Sequence, residues 1–409
     1  MSTASDVPAA PRARDPRLDF FRGMGMCIIL IAHIPWNPWT NWIPARFGFS
    51  DAADMFVFCS GMASAIAFGR VFAQHGWLIG TFRILHRLWQ VYWVHICAFV
   101  TVLTLAIALD QMLDVDHYVR EELKLQPVLD DPRTYLVNLL TLRFVPNYFD
   151  ILPMYLVVLA MTPVAMALAR VSPALAGAVS VALWLGAQAG VLELTADATT
   201  GRPWFFNPFA WQLLFFTGFA FARGWLPAPP RDRRLALAAG GLVAIGIPLG
   251  CQNEFQCYAG FGAAPALGEA HEALGALIAK TNLGPLRYLH FLATAYLAFL
   301  AVGEGGRRLA GRVPDVLRMI GKQTLAVFLT GLVIAQGLGA LLDVVGRSPL
   351  SALLVNLAGQ AILLIAALIV TAVKSPPWRK PPVPDRRASS PAGARPPRGS
   401  PTTQAAAPG

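Results

Sequence analysis

Ten apolar runs constrain this chain more than any other feature. They lie near residues 20–42, 52–72, 88–109, 150–169, 173–194, 204–222, 235–251, 285–303, 319–342 and 350–373. A helix of about 20 mostly apolar residues crosses the hydrocarbon of a bilayer, and several of these runs come near that length. With 56% hydrophobic and 14% charged residues, the composition departs far from that of a soluble domain. The chain therefore reads as an all-α, polytopic transmembrane helix bundle of about ten spans over residues 16–373. Residues 1–15 and 374–409 are rich in Pro, Arg and Ala, which predicts disordered tails. The first 18 residues are polar and no small-residue cleavage pattern follows the first apolar run, so no cleavable signal is expected.

The net charge of +10 raises nucleic acid as a partner, and the positions of the charges argue against it. Ten spans put both termini on one side. Of the 33 Lys and Arg, 24 fall on that side and 9 on the other, whereas Asp and Glu divide 7 and 16. This is the positive-inside pattern with both termini cytoplasmic. The basic residues imply a lipid bilayer as partner and no nucleic acid.

The run Leu18–Gly61 carries charge where charge is costly. Arg22, His33, Asp51 and Asp54 sit in or beside its two apolar segments. Eleven helical steps from Arg22 to His33 rise about 16.5 Å and complete roughly three turns, which returns His33 to nearly the face of Arg22. A long polar molecule with an anionic end fits such a wall, its anion on Arg22 and its reactive end near His33. Acyl-coenzyme A has that shape. Pro35-Trp-Asn-Pro38 breaks or bends the first helix just beyond His33, or simply ends it at the interface. Asp54 is placed to hydrogen-bond His33, fixing its tautomer and strengthening it as a base. Ser50 and Asp51 read as a helix N-cap.

The pattern Asp19, Arg22, His33 and Asp54-Met-Phe-Val-Phe-Cys-Ser60-Gly61 resembles the acyltransferase-3 superfamily of integral membrane O-acyltransferases. Its spelling in His33-Ile-Pro35, Gly48-Phe-Ser-Asp-Ala-Ala-Asp54, Asp150-Ile-Leu-Pro153-Met-Tyr155 and Trp204-Phe-Phe-Asn207-Pro208-Phe-Ala-Trp211-Gln212 is similar to the OpgC family, which succinylates osmoregulated periplasmic glucans. The likeness runs from about residue 16 to 373. It implies a bacterial inner-membrane enzyme with acyl-CoA, as succinyl-CoA or acetyl-CoA, for donor substrate and no tightly bound cofactor. The acceptor it implies is periplasmic glucan, and glucan-synthesis proteins are candidate partners. His33 and Asp54 become the catalytic candidates. Arg83 and Arg87, one helical turn apart in a basic inward loop from Arg70 to Arg87, resemble arginines that hold the donor's phosphates with Arg22.

Acceptor candidates come from the other side of the membrane. Asp150 and Tyr155 open the fourth span, where the wider superfamily often has a glutamate at the position of Tyr155. Trp204, Asn207, Trp211 and Gln212 combine sugar-stacking rings with amide donors and acceptors, although interfacial aromatics are also common membrane anchors. His290 is a further polar group on the acceptor side. Each of these has a plain structural alternative, as a helix cap or a buried hydrogen-bonding group. His95, alone among Tyr92, Trp93 and Cys97, reads as structural. Thr134–Leu140 is too short to span and reads as an interfacial helix or a cap on the bundle.

The five cysteines fit no metal spacing, and no metal is expected. Cys27, Cys59 and Cys97 read as packed side chains, while Cys251 and Cys257 form a disulfide or stay as two thiols. Gly321-Lys322-Gln-Thr lacks the spacing of a phosphate loop. The leading expectation is acyl transfer with His33 as general base, or alternatively through an acyl-histidine. Acetyl transfer to another envelope glycan, a transporter or flippase of a polar envelope compound, and a non-catalytic partner of glucan synthesis are the rivals.

Overall fold

The computed structural model describes residues 15–250 and 265–374. Cys251 and Cys257 lie outside the described residues, as do residues 1–14 and 375–409 of the expected tails. The chain is mostly helical. In order, its helices are α1 (Pro16–His33), α2 (Ala52–Leu113), α3 (Gln126–Asp130), α4 (Pro132–Leu140), α5 (Ile151–Val171), α6 (Pro173–Gln188), α7 (Pro208–Arg223), α8 (Arg233–Leu249), α9 (Pro265–Ile278), α10 (Pro285–Val302), α11 (Arg312–Lys322), α12 (Thr324–Val345) and α13 (Pro349–Lys374). Among the described residues, α2, α5, α10, α12 and α13 are long and apolar enough to cross a membrane. The remaining expected spans also form helices, but shorter ones or, for α1, one of 18 residues with more polar content.

Local chemistry sets the ends of α1. Asp15 accepts from the Arg17 N–H and Pro16 occupies the first turn, the preferred residue types for an N-terminus. Asp15, the last residue of the expected tail, is thus the cap of this helix. At the other end Pro35 pushes Ile34 to an extended conformation, so the helix stops at His33. Asn37, in the turn that follows, exchanges amide hydrogen bonds of 2.8 and 2.9 Å with Asn356 of α13. That two-way bond pins the turn against a helix far away in the sequence.

The inward loop expected from Arg70 to Arg87 is helical. A single glycine, Gly76 (φ 80°, ψ 178°), interrupts α2 in a conformation that is essentially glycine's alone. The Phe72 ring packs directly on Gly80, whereas eight residues of straight helix would hold them about 12 Å apart. The chain therefore doubles back at Gly76 and α2 is two antiparallel arms. No proline lies between Arg70 and Arg87 to end either arm earlier.

Close helix contacts depend on reciprocal glycines. Gly61 of α2 lies against the Phe215 carbonyl of α7 while Gly218 of α7 lies against the Phe58 carbonyl; Gly23 of α1 and Gly321 of α11 meet Leu317 and Asp19 in the same way. Small residues allow backbones to approach this closely in membrane bundles. Gly321 is thus a packing residue.

A compact cap covers one end of the bundle. Tyr135 and Leu139 of α4 are buried with Phe99, Phe144 and Phe149, in keeping with the capping alternative for this segment. The hairpin of β1 (Thr195–Asp197) and β2 (Arg202–Pro203) anchors the cap, because the Val145 N–H donates to the Ala196 carbonyl and Arg202 to the Val145 carbonyl. Tyr148 is thereby held over the end of α1. Of the three described cysteines, Cys59 is buried and Cys27 partly so, but Cys97 is exposed, because its side of the second arm of α2 faces out of the bundle.

Candidate functional site

His33, the last residue of α1, has its Nδ1 2.7 Å from the Ile29 carbonyl oxygen. A carbonyl only accepts, so Nδ1 carries the proton and the neutral ring keeps its lone pair on Nε2. The tautomer of this imidazole is thus set by the helix's own backbone. The ring also packs on Tyr148, with centroids 5.3 Å apart, and the Tyr148 hydroxyl donates to Glu122 at 2.8 Å. Burial pushes the Tyr148 phenol above its ordinary pKa, and the neighbouring Glu122 charge adds to this. The hydroxyl therefore remains a donor at neutral pH.

Asp54 does not hydrogen-bond His33, which corrects the expected pair. It is fully buried and accepts from Arg287 Nε at 3.1 Å and, through its other oxygen, from the second arm of the same guanidinium. It also accepts from the Asp51 N–H at 2.8 Å, completing a capping box in which Asp51 accepts from the Ala53 N–H. The start of α2 and a buried cation on α10 therefore occupy this carboxylate. Asp51 is the cap that was expected, and it also lies 2.6 Å from Lys280 and 3.0 Å from Arg287. Burial opposes ionisation of Asp51, but the Lys280 and Arg287 charges hold its carboxyl below the usual range. Two acids and two bases thus form one cluster, satisfied as buried charge requires.

A cavity of about 480 Å³ opens above this cluster, lined by Trp36, Ser50, Asp51, Tyr148, Lys280 and Arg287 among others. His33 stands beside it: the flanking residues Ala32 and Ile34 line it, as does Tyr148. On its other side His33 lines a narrow apolar cleft with Met26, Ile29 and Leu30 of α1 and Val327 and Phe328 of α12. The cleft runs along α1 in the direction of Arg22. The cleft holds only about 10 Å³, room for about one water, whereas a group in the cavity can pass its proton to an imidazole beside it.

The donor-side arginines are less organised. Arg22 is partly buried on the same continuous helix as His33. Arg83 is exposed and Arg87 partly so, the latter 3.2 Å from Gln90 Oε1, and both belong to the second arm of α2.

Several expected acceptor residues turn out to be committed inside the protein. Trp204 donates to the Thr195 carbonyl at 3.0 Å. Asn207 caps α7 and donates to Leu192 O and Asn282 Oδ1. Trp211, wholly buried, donates to Lys280 O at 2.9 Å and packs under the Arg287 guanidinium. Gln212 exchanges bonds with Ser180. This motif builds the floor that carries Lys280 and Arg287; its Phe205 ring lines the cavity, whereas Trp204, Asn207, Trp211 and Gln212 do not, their donors being used on Thr195, Ser180 and the loop before α10. His290, one turn beyond Arg287, lies 2.8 Å from Ser50 Oγ through Nδ1, outside the cavity lining. Asp150 is buried, with Oδ1 unpartnered, and Tyr155 packs on Phe215. His95 is buried against Phe149, in keeping with a structural role.

Sequence reasoning missed Arg287, Lys280, Tyr148 and Trp36. Arg287 was open to discovery, since a charge in the apolar run 285–303 invites the question put to Arg22. Lys280, Tyr148 and Trp36 lie outside the spans and carry no comparable signal.

Comparison with curated proteins and with solved structures gives no match. A family model described as OpgC protein matches residues 14–375, nearly the whole described bundle. With that match added to a membrane-type helical fold and an imidazole poised between cavity and cleft, the chain belongs to the OpgC family, which implies a transferase role in glucan modification.

Proposed function

We propose that the protein is a membrane O-acyltransferase that moves an acyl group, succinyl in keeping with its family, from cytoplasmic acyl-CoA to a hydroxyl of periplasmic glucan. The observation that carries this reading is His33, with Nδ1 held on Ile29 and its ring between the cavity and the cleft. The donor's nucleotide lies at the basic end near Arg22, Arg83 and Arg87, and its thioester reaches His33 along the wall of α1 between Arg22 and His33. Glucan enters the cavity from the opposite face of the inner membrane, in a ten-span arrangement with both termini cytoplasmic.

Nε2 of His33 takes the proton of a glucan hydroxyl as its oxygen attacks the thioester carbonyl carbon. The tetrahedral intermediate collapses, the carbon–sulfur bond breaks, and the proton passes from the imidazolium to the departing thiolate. The products are the glucan ester and free coenzyme. Asp54 is bound to Arg287, so the imidazolium relies on the Tyr148 ring beside it and on the Ile29 carbonyl. Lys280 lines the cavity but is held by Asp51, so it meets the charge developing on the carbonyl oxygen only by exchanging that carboxylate for it.

The test is the mass spectrum of periplasmic glucans from cells carrying wild type or His33→Ala at matched membrane levels. The expected result is an acyl mass increment in the wild type alone, its size naming the group. Equal increments in both strains would remove His33 from the chemistry.

A further inference from the structure

Trp36 and Tyr148 combine two properties. Both line the cavity beside His33, and both hold left-handed backbone angles, φ 52° for Trp36 and 68° for Tyr148. That conformation is uncommon for bulky residues, and such strain persists where surrounding structure enforces it, often at ligand sites. Packing offers Trp36 little return, because it remains 71% exposed. The turn holding it is nonetheless fixed from both ends, by the close of α1 and by the Asn37–Asn356 amide pair. Tyr148 is fixed by its hydroxyl on Glu122 and its ring on His33.

The cavity's charges indicate what the rings receive. Lys280 and Arg287 are engaged by Asp51 and Asp54, Arg46 bonds the Thr40 carbonyl at 3.3 Å, and Glu122 accepts from Tyr148. At Lys280 and Arg287 an anion would have to displace a carboxylate. A neutral ligand with many hydroxyls and an apolar face would not, since it can stack on the rings and share the acceptors that remain. The volume falls in the range of small-ligand sites, about 300–1,000 Å³.

We propose that Trp36 and Tyr148 form an aromatic platform that stacks a pyranose ring of the acceptor and presents one hydroxyl to His33 Nε2. The proposal rests on the acyl-transfer reading above, and its test is therefore a binding measurement independent of turnover. Equilibrium dialysis would follow a linear gluco-oligosaccharide against the full-length wild-type protein in detergent, with no acyl donor present. The same protein carrying Trp36→Ala, Trp36→Phe or Tyr148→Leu would be compared.

Trp36→Ala is expected to weaken binding about tenfold, the upper end of one aromatic contact, and Tyr148→Leu by a similar factor. Trp36→Phe keeps a ring and should stay within about threefold of the parent. Because Trp36 is exposed, Trp36→Ala leaves the core intact, and an unchanged melting profile verifies this. Equal binding in all four proteins would overturn the platform and leave Trp36 as a membrane anchor. Failure of the parent to bind would overturn it as well. Ring-dependent binding in a protein whose wild type adds no acyl group to glucan in cells would uphold the platform while overturning the acyl-transfer reading.

Discussion

Whether Asp54 serves His33 or Arg287 is decided by a double-mutant cycle. Asp54 is fully buried and Arg287 is 4% exposed. Breaking a buried pair by removing one partner costs about 3–5 kcal/mol. In Asp54→Leu, Arg287 keeps its contact with Asp51 at 3.0 Å, which places the charge penalty near the lower figure, about 3 kcal/mol; the lost capping bond adds about 1 kcal/mol. Arg287→Leu leaves Asp54 with only the Asp51 N–H, also at a cost of about 3 kcal/mol. The double variant has no unpaired charge at this position and retains mainly the capping loss. The two single variants together lose about 7 kcal/mol against about 1 kcal/mol for the double, so a coupling of up to about 6 kcal/mol is expected, read from denaturation midpoints in mixed micelles. Acyl transfer per folded molecule should survive in the double variant, since Ile29 still sets the His33 tautomer. Additive stabilities, or a double variant as inactive as His33→Ala though folded, would refute this argument and return Asp54 to the imidazole.

Two further outcomes follow from the same structure. The Asp51 carboxyl is held below the ordinary range by Lys280 and Arg287 against the effect of burial. A depressed folded pKa contributes stability that is complete above the unfolded value near 4 and is lost as pH falls below it; the denaturation midpoint should therefore drop between about pH 4.5 and 2 in wild type and drop less in Asp51→Asn. Gly61→Ala drives a methyl into the Phe215 carbonyl and should cost about 3 kcal/mol or more. Gly177→Ala, in open space on α6, should gain about 0.5–1 kcal/mol; equal behaviour of the two in a thermal-stability assay would refute the close α2–α7 contact.

What the sequence made legible was set by the range of each interaction. The apolar runs report on the solvent around each segment, and every one of them became a helix. The end of α1 at His33 was readable from Pro35 for the same reason, since proline acts on the residue before it. The doubling of α2 at Gly76 was less visible, because the Arg70–Arg87 stretch looks like a basic loop while its helix-forming residues continue through it. The cap over His33 depends on Val145 meeting Ala196, a pairing that no local pattern announces.

The clearest failure lies in the charges. Reading Arg22, His33 and Asp54 as one constellation assumed that nearby polar residues in an apolar stretch satisfy one another. Asp54 is instead satisfied 233 residues away by Arg287. A buried carboxylate needs a counter-charge, but sequence fixes neither its location nor its element. The two roles of Asp54 are compatible, since one oxygen serves the N-terminus of α2 and both serve the guanidinium. Freed from that carboxylate, the imidazole draws its orientation from a backbone carbonyl one turn earlier, a partner available to any histidine closing a helix. An imidazole held this way needs no acid beside it to fix its tautomer. The role of the acid–base cluster is then to hold α2, α10 and the loop before α10 in register beneath the cavity.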